Sequence, residues 1–130
     1  MADDSGIEVD ALGGRPGVWS ARFAGEQASD TDNLNLLLRE LAGVPDEQRA
    51  ARYQCVLVFL RDPSDPDPVV AQGAWEGRVL MAPRGTGGFG YDPVFQPEGF
   101  TLSAAELPAA HKNALSHRGQ AMRALLAALT

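Results

Sequence analysis

Residues Arg52–Arg61 read RYQCVLVFLR and Val69–Met81 read VVAQGAWEGRVLM, and these two apolar runs decide the fold. Both are rich in the β-branched and aromatic residues typical of strands. The intervening residues 62–68, DPSDPDP, predict a surface loop because Asp and Pro favour turns. The two runs therefore predict a β-hairpin. From Cys55 onward the first run is apolar at every position, which predicts a central strand covered on both faces.

Five single residues have structural interpretations. Gly73 and Gly77 interrupt the second run and predict bulges or close backbone approaches. Cys55 is the only cysteine. In an apolar run it is expected to be a small buried core residue. Trp19 and Trp75 are expected to serve core or dimer packing.

Outside the hairpin, the sequence predicts one strand and two helices. Residues 7–12 alternate apolar and acidic side chains, which indicates a short half-exposed strand. A helix capped by Asp30 or Thr31 carries its apolar residues on one face. These residues are Leu34, Leu37, Leu38 and Leu41. A second helix is predicted from His117 to Leu129, with Ser116 as its N-cap.

Strands and helices alternate irregularly, so we predict one domain over residues 1–130, of the α/β or α+β class. Its sheet is expected to be mixed and flanked by helices. The length of 130 residues suits a single domain.

Charge and hydropathy exclude several classes of protein. The formal net charge of −6 argues against general binding of nucleic-acid polymers, which needs a basic face. No apolar run approaches a membrane span. The first residues, MADDSG, are acidic and polar and do not resemble a signal peptide. We therefore expect a cytoplasmic protein without a membrane partner.

Asp3 and Asp4 are the first of three polar segments that can carry chemistry. At a strand end or turn, both carboxylates could reach one ion, and Mg²⁺ prefers such hard oxygen ligands. A carboxylate that does not bind the ion could activate a water molecule. The alternative is an acidic segment in solvent.

The second polar segment is the glycine-rich run Arg84–Pro93, RGTGGFGYDP. Its glycines could present backbone N–H groups to a ligand. Phe89 stands between two glycines and could stack on a flat base, while Asp92 could accept a hydrogen bond from a base or sugar. The alternative is a flexible loop with one buried Phe.

The third polar segment contains both histidines and the only lysine, between His111 and His117. His117 and Arg118 begin the predicted helix, where cations oppose the helix dipole. A locally unfavourable choice of this kind hints at function. The alternative is a solvated, mildly basic turn.

Taken together, four motifs resemble the inosine triphosphate pyrophosphatase family, also called non-standard purine NTP pyrophosphatases. They occur in the family's order and at family-like spacing. The motifs are ADDSG at 2–6, GGRPGVWSAR at 13–22, GGFGYDP at 87–93 and SHRGQA at 116–121. The resemblance runs from Ala2 to near the C-terminus.

The resemblance implies Mg²⁺-dependent hydrolysis of inosine, deoxyinosine and xanthosine triphosphates to monophosphate and pyrophosphate, and a homodimer. Asp4 matches the general base and metal ligand, with Asp3 beside it. Ser5 and Lys112 match substrate contacts. The remaining matched residues hold the purine or recognise its 6-oxo group. They are Phe89, Gly90, Tyr91 and Asp92 for the purine, and His117 and Arg118 for the 6-oxo group.

One departure from the family keeps alternatives open. Family members begin with a further segment that carries a strand, a phosphate loop and a metal-binding Glu. We therefore expect this sequence to be the C-terminal two-thirds of such a domain. An inactive purine-binding or dimerisation fragment is the alternative to the enzyme. A related pyrophosphatase with another base preference is a third reading, which the Ser116–Arg118 match argues against.

Overall fold

The described residues form a four-stranded sheet with helices on one face. The computed structural model describes residues 2–86, 90–108 and 116–129, with all their side chains except those of residues 2–4 and 18. The strands pair in the order β1-β2-β3-β4. Their bounds are Ala2–Val9 (β1), Ala50–Phe59 (β2), Val69–Val79 (β3) and Phe95–Pro97 (β4). The helices are Asp30–Glu40 (α1) and His117–Leu129 (α2).

The predicted hairpin and the single sheet-and-helix domain are confirmed. β2 pairs with β3 in antiparallel register from Ala50 opposite Arg78 to Phe59 opposite Val69. We expected a mixed sheet, but every pairing among the described strands is antiparallel. A parallel pair would need a crossover connection between its strands. Of the two classes left open, α+β describes these residues.

The first strand begins earlier than the sequence predicted. β1 starts at Ala2 rather than Ile7, and it ends at Val9, where Asp10–Leu12 form a 3₁₀ turn. Its whole length pairs with β2, from Ala2 opposite Val58 to Val9 opposite Ala51. Pairing with a strongly apolar neighbour overrides the weak strand propensity of the acidic start. The Asp-Asp pair therefore lies within a strand, not before one.

The prediction that both faces of β2 are covered is wrong for the described residues. Burial alternates along β2, with Ala51, Tyr53, Cys55 and Leu57 buried and the residues between them more exposed. α1 and α2 both pack on the buried face. On the opposite face, Val70 of β3 is 52% exposed. Val and Phe favour strands, so the continuous apolar run is also compatible with one buried face.

The buried face of the sheet forms the core. Cys55 and Trp75 lie in it, whereas Trp19 does not. Cys55 is fully buried and Trp75 is 6% exposed, as expected. Trp19 is 60% exposed, so it is not a core residue of this chain. The Arg22 guanidinium lies 4.9 Å from the centroid of the Trp19 ring. A dimer contact of Trp19 stays a prediction.

Arg49 is a buried cation that the sequence analysis missed. It is 2% exposed. Its guanidinium donates to the carbonyl oxygens of Val79 at 2.8 Å, Leu41 at 2.9 Å and Leu80 at 3.0 Å. Burial lowers the pKa of Arg49. The side chain joins the end of α1 to the end of β3 through backbone carbonyls.

The helix ends follow capping chemistry. Ser29, rather than Asp30 or Thr31, caps α1: its side chain accepts from the Asp32 N–H, and Asp32 accepts from the Ser29 N–H in a capping box. α2 has the predicted bounds, and Ser116 Oγ accepts from the Gly119 N–H at 3.1 Å. Across residues 2–86, 90–108 and 116–129, no helix has the length and hydropathy needed to cross a membrane.

Candidate functional site

A cleft of about 180 Å³ opens where β1, the 3₁₀ segment Gly17–Arg22 and the N-termini of both helices meet. Its exposed lining is mostly apolar. Among the predicted site residues, the structure brings together Ser5, Gly90, Tyr91, Asp92, His117 and Arg118. The cleft is also lined by Gly6, Ser20, Ala21, Asp30, Asn33, Tyr53 and Trp75. Residues far apart in sequence therefore form one site.

The start of α2 brings two cationic or ionisable side chains to this cleft. Arg118 Nε donates to Ser5 Oγ at 3.3 Å, which links α2 to β1. The His117 ring lies parallel to the Tyr53 ring, with centroids 4.8 Å apart and an interplanar angle of 11°. The helix start that looked unfavourable in sequence is thus held by contacts to both β1 and β2.

Gly73 explains how α2 comes so close to the sheet. A Cβ atom built on Gly73 would lie 2.1 Å from the His117 carbonyl oxygen and 2.7 Å from the Ala121 N. The predicted close backbone approach is confirmed at this position, and also at Gly77, where a Cβ would lie 2.3 Å from the Gln96 carbonyl oxygen. Only glycine at position 73 permits this placement of His117 and Arg118.

The floor of the cleft is organised by the Tyr53 hydroxyl. It donates to Asp92 Oδ1 at 3.1 Å and accepts from the Tyr91 N–H at 3.1 Å. Asp92 is 3% exposed. Burial, and next the charge of Asp92, raises the pKa of Tyr53 well above its ordinary value, so the hydroxyl keeps its proton. Asp92 was predicted to meet a ligand; here one of its oxygens accepts from Tyr53.

The opposite wall is fixed by polar contacts to the segment Gly17–Arg22. The Tyr91 hydroxyl donates to the Ser20 carbonyl oxygen at 2.6 Å. Burial raises the pKa of Tyr91, and the charge of Asp30 adds to the shift. Ser20 Oγ accepts from the Ile7 N–H at 2.9 Å, which ties the segment to β1.

Two α1 residues complete this wall. Asn33, 3% exposed, donates to the Ala21 carbonyl oxygen at 3.0 Å and accepts from the Ala24 N–H at 2.8 Å. Asp30 Oδ2 accepts from the Gly90 N–H at 2.9 Å. Asn33 was not predicted from sequence to have a role. Its place on the apolar face of α1, one turn before Leu37, was the available signal.

Several predicted residues stand apart from this geometry. Phe89 and Lys112 lie outside the described residues, as does His111. The backbone places Asp3 opposite Leu57 and Asp4 opposite Val56, directly before Ser5 of the cleft. Among the described side chains, which do not include those of Asp3 and Asp4, no three His, Cys, Asp or Glu residues could hold one metal ion.

The arrangement suits a flat ligand with polar edges. Apolar surface and aromatic rings can cover the faces of such a ligand. A guanidinium carries five N–H groups in a fixed plane, so Arg118 can donate to a ligand carbonyl while it contacts Ser5. The fold and this cleft define a small α+β domain with a candidate ligand site between its sheet and both helix starts.

Comparison with known proteins identifies the family. A model of the Ham1 family matches residues 1–128. The chain belongs to this family. It is 59% identical over 129 residues to the dITP/XTP pyrophosphatase of Methylococcus capsulatus and 54% identical to that of Vibrio cholerae. Each alignment covers 99% of this chain and 64% of the relative, so the chain spans less than two thirds of their length.

A solved structure has the same fold. The Ham1 protein of Coxiella burnetii matches with a TM-score of 0.93 at 43% identity, covering 98% of this chain and 65% of that chain. The predicted family resemblance is therefore confirmed. The prediction that residues 1–130 are the C-terminal two-thirds of a pyrophosphatase domain stays a prediction.

Proposed function

We propose that this protein hydrolyses non-standard purine nucleoside triphosphates, the inosine, deoxyinosine and xanthosine triphosphates, to monophosphate and pyrophosphate. One observation carries the proposal: the cleft places Arg118 and His117 beside Ser5 and the segment 90–92. Two lines of support join it, namely membership of the Ham1 family and curated relatives named dITP/XTP pyrophosphatases. Removal of aberrant nucleotides from the cellular pool is the role that follows.

Base recognition rests on hydrogen-bond complementarity. Hypoxanthine and xanthine carry a carbonyl oxygen at the position where adenine carries an amino group. Arg118 only donates, so it rewards the carbonyl and would face the amino group of adenine donor to donor. A site built on polar complementarity rejects the mismatched ligand strongly, because polar groups are left buried and unpaired. His117 and the segment 90–92 contact the ring in the same cleft.

For the phosphate chemistry, the fit of Mg²⁺ depends on Asp3 and Asp4. Both come directly before Ser5 in β1, and their carboxylates are the hard oxygen donors that Mg²⁺ prefers. Mg²⁺ bound by these residues would supply positive charge that stabilises the negative charge of the phosphate oxygens. Asp4 accepts the proton of the attacking water as general base, while Ser5 and Lys112 contact the substrate.

The remaining expectations belong to the same proposal. Phe89 covers one face of the purine, and Asp92 receives Tyr53 on one oxygen while contacting the nucleoside. Asp3 supports Asp4 at the metal. We also propose a homodimer in the cytoplasm, from the family resemblance and the composition. Nucleic-acid polymers and membranes are not proposed as partners.

The test is pyrophosphate release from inosine triphosphate with Mg²⁺, with ATP as the control substrate. The proposal requires release from inosine triphosphate and little or none from ATP. Equal release from both nucleotides would contradict the base assignment. Binding of inosine triphosphate without release would contradict the enzyme assignment and support a purine-binding fragment.

A further inference from the structure

We propose that Tyr53 is a positioning residue that holds both His117 and the segment 90–92 in fixed places for the purine. This inference rests on the proposed function and names a residue that the family motifs do not contain. Tyr53 lies near the middle of β2, far in sequence from both elements. It lines the cleft and is 8% exposed.

The hydroxyl of Tyr53 fixes the segment 90–92 through two hydrogen bonds of opposite sense. It donates to Asp92 Oδ1 and accepts from the Tyr91 N–H, both at 3.1 Å. A group that only donates hydrogen bonds could not accept from the Tyr91 N–H. A group that only accepts them could not donate to Asp92. Because Tyr53 keeps its proton at neutral pH, both bonds persist there. The segment is thereby held to a rigid strand at its backbone and at its side chain.

The ring of Tyr53 fixes His117. Its face lies parallel to the imidazole, with the centroids 4.8 Å apart. Its edge contacts the Phe95 ring at a centroid distance of 4.8 Å and an angle of 66°. Phe95 is fully buried, and it also meets Trp75 at 5.6 Å. The Tyr53 ring therefore cannot tilt without disturbing the core. Because the His117 imidazole is stacked on this ring, its orientation is fixed as well.

One side chain thus couples two elements that the ligand would bridge. Because both contact the same side chain, His117 and the segment 90–92 keep a fixed separation and can contact one flat ring at once. Preorganised polar groups of this kind raise affinity because the ligand does not have to order them. Loss of this coupling should therefore weaken the binding of inosine nucleotides more than it lowers the stability of the fold.

Two substitutions separate the hydroxyl from the ring. Tyr53→Phe keeps the stack on His117 and removes both hydrogen bonds. We expect inosine triphosphate to bind roughly fivefold to tenfold more weakly, as for the loss of one or two buried hydrogen bonds. Tyr53→Leu also removes the stack, so binding should weaken further and the preference for inosine triphosphate over ATP should shrink.

The measurements are titration calorimetry with both nucleotides and the proton NMR resonance of the His117 ring, assigned with a His111→Gln variant. Stacking on Tyr53 shifts that resonance upfield. We expect the shift to persist in Tyr53→Phe and to vanish in Tyr53→Leu. Cys55→Ala is the matched control, since Cys55 is buried in the same strand and on the same face but does not line the cleft.

Three outcomes would overturn the inference, and the third would also overturn the proposed function. Selective binding by the wild type together with unchanged affinity in Tyr53→Phe overturns the inference and leaves the proposed function standing. Equal loss of selectivity in Tyr53→Leu and Cys55→Ala also overturns it, because the effect would then be general destabilisation. A wild type that binds neither nucleotide overturns the proposed function, and the inference with it.

Discussion

Gly73→Ala places a methyl group where the start of α2 meets β3. The new Cβ would lie 2.1 Å from the His117 carbonyl oxygen, 2.7 Å from the Ala121 N and 2.8 Å from the Gln120 Cβ. All three atoms belong to α2, so the first turns of the helix must move together. Separation to 3.0 Å, a limit that real Cβ contacts respect, requires a shift of about 0.9 Å from the 2.1 Å starting distance.

That shift predicts two losses, one of stability and one of activity. Overpacking of a core contact costs about 1–3 kcal/mol of stability. Displacement of His117 and Arg118 by nearly 1 Å should lower pyrophosphate release from inosine triphosphate by up to roughly 100-fold. The stability loss is measured by urea unfolding, and the activity at a temperature where both proteins are folded.

Val79→Ala is the control for this experiment. Val79 is fully buried at the other end of the same strand and does not line the cleft. It should lose stability by cavity formation and keep most of its activity. The reasoning is refuted if Gly73→Ala retains wild-type stability, or if it loses stability but no more activity than Val79→Ala.

Three further predictions concern single residues. Arg49→Lys should lower the free energy of unfolding by at least about 2 kcal/mol, because one ammonium group cannot reach the separate carbonyl oxygens to which Arg49 donates. A free energy of urea unfolding within about 0.5 kcal/mol of wild type would contradict this prediction. Above pH 10 the wild type should lose stability through Tyr53, which ionises in the unfolded chain near its ordinary pKa of 10.0 but stays protonated when folded. Tyr53→Phe should therefore lose stability less steeply between pH 10 and 11, by up to about 1.4 kcal/mol per pH unit, and parallel urea-unfolding profiles would refute the assignment. Asp4→Asn should abolish pyrophosphate release while calorimetry still detects nucleotide binding, and full activity in this variant would remove Asp4 as the base.

The elements were predictable where local chemistry agrees with the fold. The hairpin follows from two apolar runs and an Asp-Pro loop, and α2 has the bounds and the Ser116 cap that the sequence predicts. The start of β1 was missed because pairing with β2 decides it, and pairing partners are not visible in a local pattern. The open face of β2 was missed because strand preference and burial select the same residues.

Motifs in the sequence predicted some residues of the candidate site, but not those whose role depends on contacts between elements. Ser5, Asp92 and Arg118 were named from sequence, and the structure brings them to one cleft. Tyr53 and Asn33 were not named as site residues, because each looks like an ordinary strand or helix residue until its partner is known. Their partners lie in other elements: Asp92 for Tyr53, and Ala21 of the segment Gly17–Arg22 together with Ala24 for Asn33.

The most direct test of the account is equilibrium binding of inosine triphosphate and ATP to the wild type and to Arg118→Leu. The central claim is that this cleft selects a purine by its 6-oxo group. The account predicts at least roughly tenfold tighter binding of inosine triphosphate by the wild type, and loss of that preference in Arg118→Leu. Equal affinity of the wild type for both nucleotides, or a preference that survives in Arg118→Leu, would contradict it.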